Sequence, residues 1–390
     1  MSAAPVGMNE RAALWVLLAA NFVIGTGVLL PVGLLDQLAR ELGVSIPTAG
    51  LLMTVGGAVI AVGAPFAAAF TSRIDRRALL IFGLALYVAG HAISASAPSF
   101  TVLLITRALM IIAAGIVTPQ AAATISALLP AEQRSSAISF VFLGWSMAMV
   151  AGMPMASLIG DHWGWRTAFA LEGVLAAIVL VCIRVTIPRG IRVVPLSLAS
   201  WGQALSNPVF CLVLLATAVN SASQFILFGY LKPFLASAVG ATPGMIAGFL
   251  AWQGVWGVGG NVLASRIVGR LGEPSTVLVG LLSMSLGLAL VGLAAGHLPV
   301  LLLGVLLWGA GSFSVNSVQQ ARLVRLIPAF ASASIALNTS CTYSGQAVGS
   351  AIGGGLIAGG SLALLPWGAA AGMMIAAVVS MIAARIARRA

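Results

Sequence analysis

Long unbroken apolar stretches alternate with short polar connections along the whole chain. Twelve such stretches lie near 12–35, 46–70, 78–97, 100–127, 136–160 and 166–187, then near 209–235, 243–265, 275–295, 299–321, 331–357 and 363–384. A helix rises 1.5 Å per residue and the hydrocarbon core of a bilayer is about 30 Å thick, so about 20 apolar residues make one crossing. Strands of a membrane barrel would alternate polar and apolar positions in short segments, whereas these runs are continuous. Short connections force successive helices to be antiparallel neighbours. The longest polar stretch between them, 188–207, falls almost at the midpoint. The pattern predicts an all-α membrane protein of twelve transmembrane helices in two six-helix bundles, residues 1–187 and 208–390, joined by a linker over 188–207. The first stretch follows Arg11 as a signal peptide would, but it is too long and lacks an A-x-A-like cleavage context, so it is expected to stay as a span.

Composition removes the competing classes. Hydrophobic residues make up 60% of the 390 positions and charged residues only 7%, against about 25% charged in an average soluble domain. The net charge of +11 forms no basic cluster clear of the apolar segments, which argues against nucleic acid. With a cytoplasmic N-terminus, 15 of the 19 basic residues fall on the cytoplasmic side, and only Arg40, Arg166 and Lys232 on the other, with Arg107 inside a span. That split follows the positive-inside rule and predicts both termini in the cytoplasm of a bacterial inner membrane. Cys182, Cys211 and Cys341 lie within or at the ends of apolar runs and read as small packing residues. There is no phosphate-binding Gly-x-x-x-x-Gly-Lys-[Ser/Thr] loop, nucleophile–base pair or metal-ligand spacing, so neither an enzyme nor a cofactor is expected.

The halves also repeat. Ser72-Arg73-Ile74 followed by Arg77 recurs 193 residues later as Ser265-Arg266-Ile267 followed by Arg270, and Gly152 and Gly160 recur as Gly345 and Gly353. The loop Ala68-Ala69-Phe70-Thr71-Ser72-Arg73-Ile74-Asp75-Arg76-Arg77 resembles the Gly-x-Leu-x-Asp-Arg-x-Gly-Arg-Arg/Lys signature of the major facilitator superfamily. Here Ser72 stands for the signature's aspartate and Asp75 for its glycine. The stretch from Gly144 through Gly152-Met153-Pro154 to Gly160, followed by Gly164-Trp165-Arg166-Thr167-Ala168-Phe169, resembles the antiporter motif of twelve-helix drug and sugar efflux carriers. Gly259-Gly260-Asn261, Gln319-Gln320-Ala321-Arg322 and the glycines 345, 349 and 353–355 agree with that branch. The resemblance implies the major facilitator fold, and gating roles for Arg73, Asp75, Arg76, Arg77, Gly152 and Pro154. A plain positively charged loop and generic close helix packing account for the same residues.

Proton coupling is where the chain departs from these carriers. The membrane glutamate of their first helix aligns with Val28. Arg107 matches an arginine that similar carriers link to proton coupling and substrate binding. At its depth it needs a partner or water, or serves as an anchor for carbonyls. Two acids remain as proton carriers. Asp36 is either that or a solvated residue at a helix end. Glu172 lies about six residues into the sixth span, and is either a buried proton carrier or a partner of Arg166. His91, His162 and His297 are given no role. Polar and aromatic residues near mid-depth make the candidate solute site: Asn21, Thr26, Arg107, Trp145, Ser146, Asn220, Gln224, Trp252, Gln253, Trp256, Ser312, Asn316, Asn338, Thr339 and Tyr343. Amides and hydroxyls suit neutral polar solutes, and tryptophans suit sugar faces or flat apolar drugs. The expected protein is a monomeric secondary transporter exporting a small sugar-like or drug-like solute against protons. The alternatives are an uncoupled facilitator or uptake carrier, or a transport-inactive sensor.

Overall fold

The computed structural model describes residues 8–70, 74–192, 202, 205–294, 296–328 and 331–388. Its first part comprises α1 (Met8–Glu41), α2 (Ile46–Phe70), α3 (Arg76–Ala95), α4 (Phe100–Leu128), α5 (Ala131–Met147), a π turn (Ala148–Gly152), α6 (Met153–Trp163) and α7 (Trp165–Thr186). Its second part comprises α8 (Pro208–Phe228), α9 (Leu231–Val239), α10 (Pro243–Leu271), α11 (Glu273–Leu293), α12 (Leu298–Leu326), α13 (Ala331–Ala358) and α14 (Leu365–Ala387). Among the described residues there is no strand. Ten helical runs are long and apolar enough to cross a membrane. The glycine-rich α10 and α13, of 29 and 28 residues, have the length of two more crossings. The twelve predicted spans are therefore present, with α1 running on past its apolar stretch to Glu41.

The two parts use the same neighbour pairs. α1 packs on α5 and α6, on α7 and on α4, while α3 packs on α4 and α7, and α2 on α4. Correspondingly α8 packs on α13 and α14, α11 on α12 and α14, and α10 on α12. The repeated glycines serve matching contacts. A Cβ at Gly152 would overlap the Thr26 hydroxyl of α1, and one at Gly345 would overlap the Ala218 carbonyl of α8. Across the halves, α2 packs against α13, and the π turn and α6 against α10.

Proline sets the breaks that matter for function. Pro154 has no N–H to give Val150 and its ring would collide with that carbonyl. The preceding turn widens, so that the Met153 N–H reaches back to Ala148. Gly254 of α10 lies on this turn, where an added Cβ would sit 2.9 Å from the Val150 Cα. Pro233 breaks the seventh span in the same way at Gly229–Tyr230, setting off α9 as a separate short helix. Pro31 lies inside α1 and leaves the Gly27 carbonyl without its helical partner.

Candidate functional site

The bundle is sealed at one end, where α1 meets α2. Leu29, Val32, Leu35 and Ala39 of α1, with Ala49 and Met53 of α2, share one buried cluster with Ile226, Phe228, Leu231 and Phe234 of the other half. A charged knot lies within that seal. The Lys232 ammonium of α9, 2% exposed, sits 2.8 Å from Asp161 Oδ1 and 3.3 Å from Asp36 Oδ1, and donates to the Gly33 carbonyl at 3.0 Å. Gln37 Nε2 donates to the same Asp161 oxygen, and Arg40 reaches Asp36 at 3.5 Å. One cation of the second half thus grips two acids and a backbone carbonyl of the first. Asp36 is a member of this interface rather than a free helix-end group. Sequence reasoning missed Lys232 and Asp161, although Lys232 is the chain's only lysine and falls inside a predicted span.

At the opposite end the described polar contacts stay within each half. Asp75 caps α3 through the Ala78 N–H and accepts the Gly190 N–H at 2.6 Å. Arg76 donates to Gln120 Oε1 at 2.6 Å, and Arg77 to the Arg184 carbonyl. Arg325 pairs with Glu273 at 2.8 Å. Among the gate candidates Arg73 lies outside the described residues, while Gly152 and Pro154 belong to the π turn and to the start of α6.

Behind α1 lies a second polar group. Arg107, 1% exposed, donates to the Gly27 carbonyl at 3.0 Å and to the Val28 carbonyl. The first of these is the carbonyl released by Pro31, so the guanidinium holds α1 at its bend. Its anchoring role is visible directly. Lysine offers one charged tip in place of the fork and would leave a buried carbonyl bare, at about 1–3 kcal/mol. Arg107→Lys is therefore expected to lower the melting temperature of the purified protein, and an unchanged melting curve would remove this role. The Tyr87 hydroxyl donates to the Ile24 carbonyl at 3.2 Å on the same face of α1. Glu172 is 3% exposed and its Oε1 has no hydrogen-bond partner. Arg166 is taken instead by Glu41 at 3.1 Å, over the Trp165 ring at 4.2 Å, so the pairing of Glu172 with Arg166 does not occur.

The solute candidates divide by what their polar atoms do. Thr26 Oγ1, Asn21 Oδ1, Asn220 Oδ1, both amide atoms of Gln253, Trp256 Nε1 and Asn338 Oδ1 are buried without a partner. The π turn is approached from both halves, by Thr26 against Gly152 and by Gly254, the residue after Gln253, against Val150. Others are already engaged. Trp145 Nε1 donates to Thr118 at 3.3 Å, Trp252 Nε1 to the Leu302 carbonyl at 3.1 Å, Ser312 to Gly309 at 2.7 Å and Thr339 to Ile335 at 3.0 Å. Trp252 and Trp256 stack edge to face at 5.6 Å, and Asn338 donates to Asn316 at 3.4 Å. Ser146 and Gln224 are half-buried, and Tyr343 packs on the core of the first half. Every unpartnered atom in the first group is uncharged, so the set can donate to and accept from a neutral polar molecule.

Comparison with known proteins places this geometry. The family model described as Major Facilitator Superfamily matches residues 17–350. The inner membrane transport protein YdhP of Escherichia coli (strain K12) is 30% identical over 87% of this chain and 87% of its own. A protein described as a "Probable sugar efflux transporter" of Mannheimia succiniciproducens is 28% identical over 79% of this chain and 78% of its own. A crystal structure of the peptide transporter POT superposes with a TM-score of 0.78 at 15% identity, covering 96% of this chain and 94% of that one.

Proposed function

The chain belongs to the major facilitator superfamily, and from that premise we propose that it exports a small uncharged organic solute across a bacterial inner membrane in exchange for protons. Residues 1–187 and 208–390 would rock about the linker 188–207, exposing a central site to each side in turn. The observation that carries this reading is the seal between the halves at one end, knotted by Lys232, Asp36 and Asp161, while the described polar contacts of the other end stay within each half. With both termini in the cytoplasm, the sealed end is periplasmic and the structure is in its inward-facing state. The arginine excess of the opposite loops supports that orientation.

The solute site then lies where Thr26, the π turn and Gln253 meet, flanked by Asn220, Trp256 and Asn338. Unpaired amides favour a sugar-like solute over a cationic drug, because the set offers no counter-charge, and the similarity to a sugar efflux transporter supports the same class. Reconstituted protein is expected to move pentoses or hexoses, with an imposed pH gradient raising the flux. Flux indifferent to the gradient would make it a facilitator, and no flux for any solute in a broad panel would make it a sensor. Gln253→Leu keeps the volume but removes both amide atoms. It is expected to abolish the thermal shift that the transported sugar gives the wild type, and a retained shift would exclude Gln253 from the site.

A further inference from the structure

We propose that Glu172 and His91 together form the coupling-proton site, set in the wall of the first half behind α1 and outside the solute pathway. The proposal rests on the reading of the protein as a proton-driven carrier and says where the proton binds. His91 of α3 is fully buried, and neither ring nitrogen has a hydrogen-bond partner. Glu172 of α7 is 3% exposed with one carboxyl oxygen equally bare. An unpaired polar group in the interior is costly, and two on facing turns call for a role that needs them unpaired.

The two residues lie on facing turns of the α3–α7 seam. A Cβ on Gly173 would lie 3.1 Å from the His91 Cβ, and the Phe169 ring centroid is 5.7 Å from that of His91. The imidazole therefore lies along the turn of α7 that carries Glu172. Its far side reaches α1, where a Cβ on Gly27 would be 2.8 Å from Nε2. Gly27 is also the residue whose carbonyl holds Arg107 at 3.0 Å. The other titratable or charged groups around the imidazole are Tyr87 on its own helix, 4.6 Å between ring centroids, Arg107 from α4, and Tyr343 of α13, which packs on the same core; α1 supplies carbonyls only.

The step is a simple transfer. A proton adds to the Glu172 carboxylate, His91 can accept it at one nitrogen and release another from the second, and the proton leaves to water on the other side of the membrane. No other reactant is consumed. Each transfer changes the charge next to Arg107, and so the strength with which the guanidinium holds the Gly27 and Val28 carbonyls at the Pro31 bend. Beyond that bend α1 carries Gly33, Asp36 and Gln37, the members of the Lys232 knot. Nine residues of helix, about 14 Å, separate Gly27 from Asp36. Proton binding at one end of this lever thereby loosens or tightens the seal at the other. The chain needs no acid at Val28 because the proton is taken at the α3–α7 seam beside the same helix.

Glu172→Gln and His91→Gln nearly keep the side-chain volume and remove titration. In liposomes both are expected to retain downhill solute flux and to lose its stimulation by a pH gradient. In solute-free protein, the infrared difference spectrum between acidic and alkaline buffer should contain the carbonyl band of an unhydrated carboxylic acid, and Glu172→Gln should delete it. Gradient stimulation that survives in both variants, or a band that persists without Glu172, overturns the site while leaving the carrier reading intact. A wild type whose flux ignores the gradient overturns the coupling itself, and the site with it.

Discussion

Lys232→Met is expected to open the sealed end. The ammonium is 2% exposed and neutralises Asp161, itself nearly buried, and Asp36 at once. Removing it leaves the nearly buried Asp161 without its cation and Asp36 with only the exposed Arg40 at 3.5 Å, and breaking a buried pair from one side costs about 3–5 kcal/mol. That cost falls only on the closed arrangement, because the two acids reach water when the halves part. The equilibrium should therefore move toward the open form by about two to four orders of magnitude. Labelling of a cysteine placed at Leu35, fully buried in the seal, by a membrane-impermeant maleimide added from the periplasmic side would report the change. Fast labelling in Lys232→Met and slow labelling in the parent are the expected results. Lys232→Arg, which keeps the charge, should stay closer to the parent. Equal labelling in all three would mean that the apolar cluster alone holds the seal.

The second large effect concerns the close approach of α13 to α8. A Cβ at Gly349 would overlap the Ala222 carbonyl, an atom of backbone that cannot swing aside as a side-chain tip can. Gly349→Ala should push the two helices apart along their whole contact, at or above the roughly 1–3 kcal/mol typical of overpacked cores. Small residues at such seams let backbones approach within the membrane, where packing rather than the hydrophobic effect holds helices together. Gly355, two turns further along the same helix, has nothing within 4 Å of its would-be Cβ. Gly355→Ala should be neutral or slightly stabilising, since alanine loses less backbone entropy than glycine on folding. Thermal unfolding in detergent separates the two, and equal melting temperatures would remove the argument for the seam.

The fold was legible because the bilayer imposes a length and a composition on every span, and both are read directly from apolar runs. The breaks within spans were legible in part. Pro31, Pro154 and Pro233 are visible in the sequence, but whether a proline bends, widens or splits a helix depends on what packs beside it. At Pro31 it is Arg107 from a helix about 80 residues away in sequence that takes the freed carbonyl.

The charged residues were harder to place. Asp36 and Lys232 are about 200 positions apart, and no local spacing announces that they meet. The signal available was an ionisable side chain inside an apolar run, the same reasoning that singled out Arg107 and Glu172, and it applied equally to Lys232. His91 was passed over because a lone histidine on an apolar helix carries no pattern. Only the placement of Gly27 and Gly173 on its two sides shows that it joins α7 to α1. Other solute candidates already have a use for their donors: Trp145, Trp252 and Ser312 each spend theirs on a neighbouring helix or on their own backbone.

The central claim is that the two halves close alternately at their two ends, and paired spin-label distances test it most directly. With Cys182, Cys211 and Cys341 replaced, one pair of labels at His162 and Ser237 spans the sealed end, and a second at Glu132 and Arg266 spans the opposite end. The account predicts a short distance for the first pair at rest and, in Lys232→Met, a longer first distance together with a shorter second one. Distances that stay fixed in both pairs, or lengthen together, would contradict it.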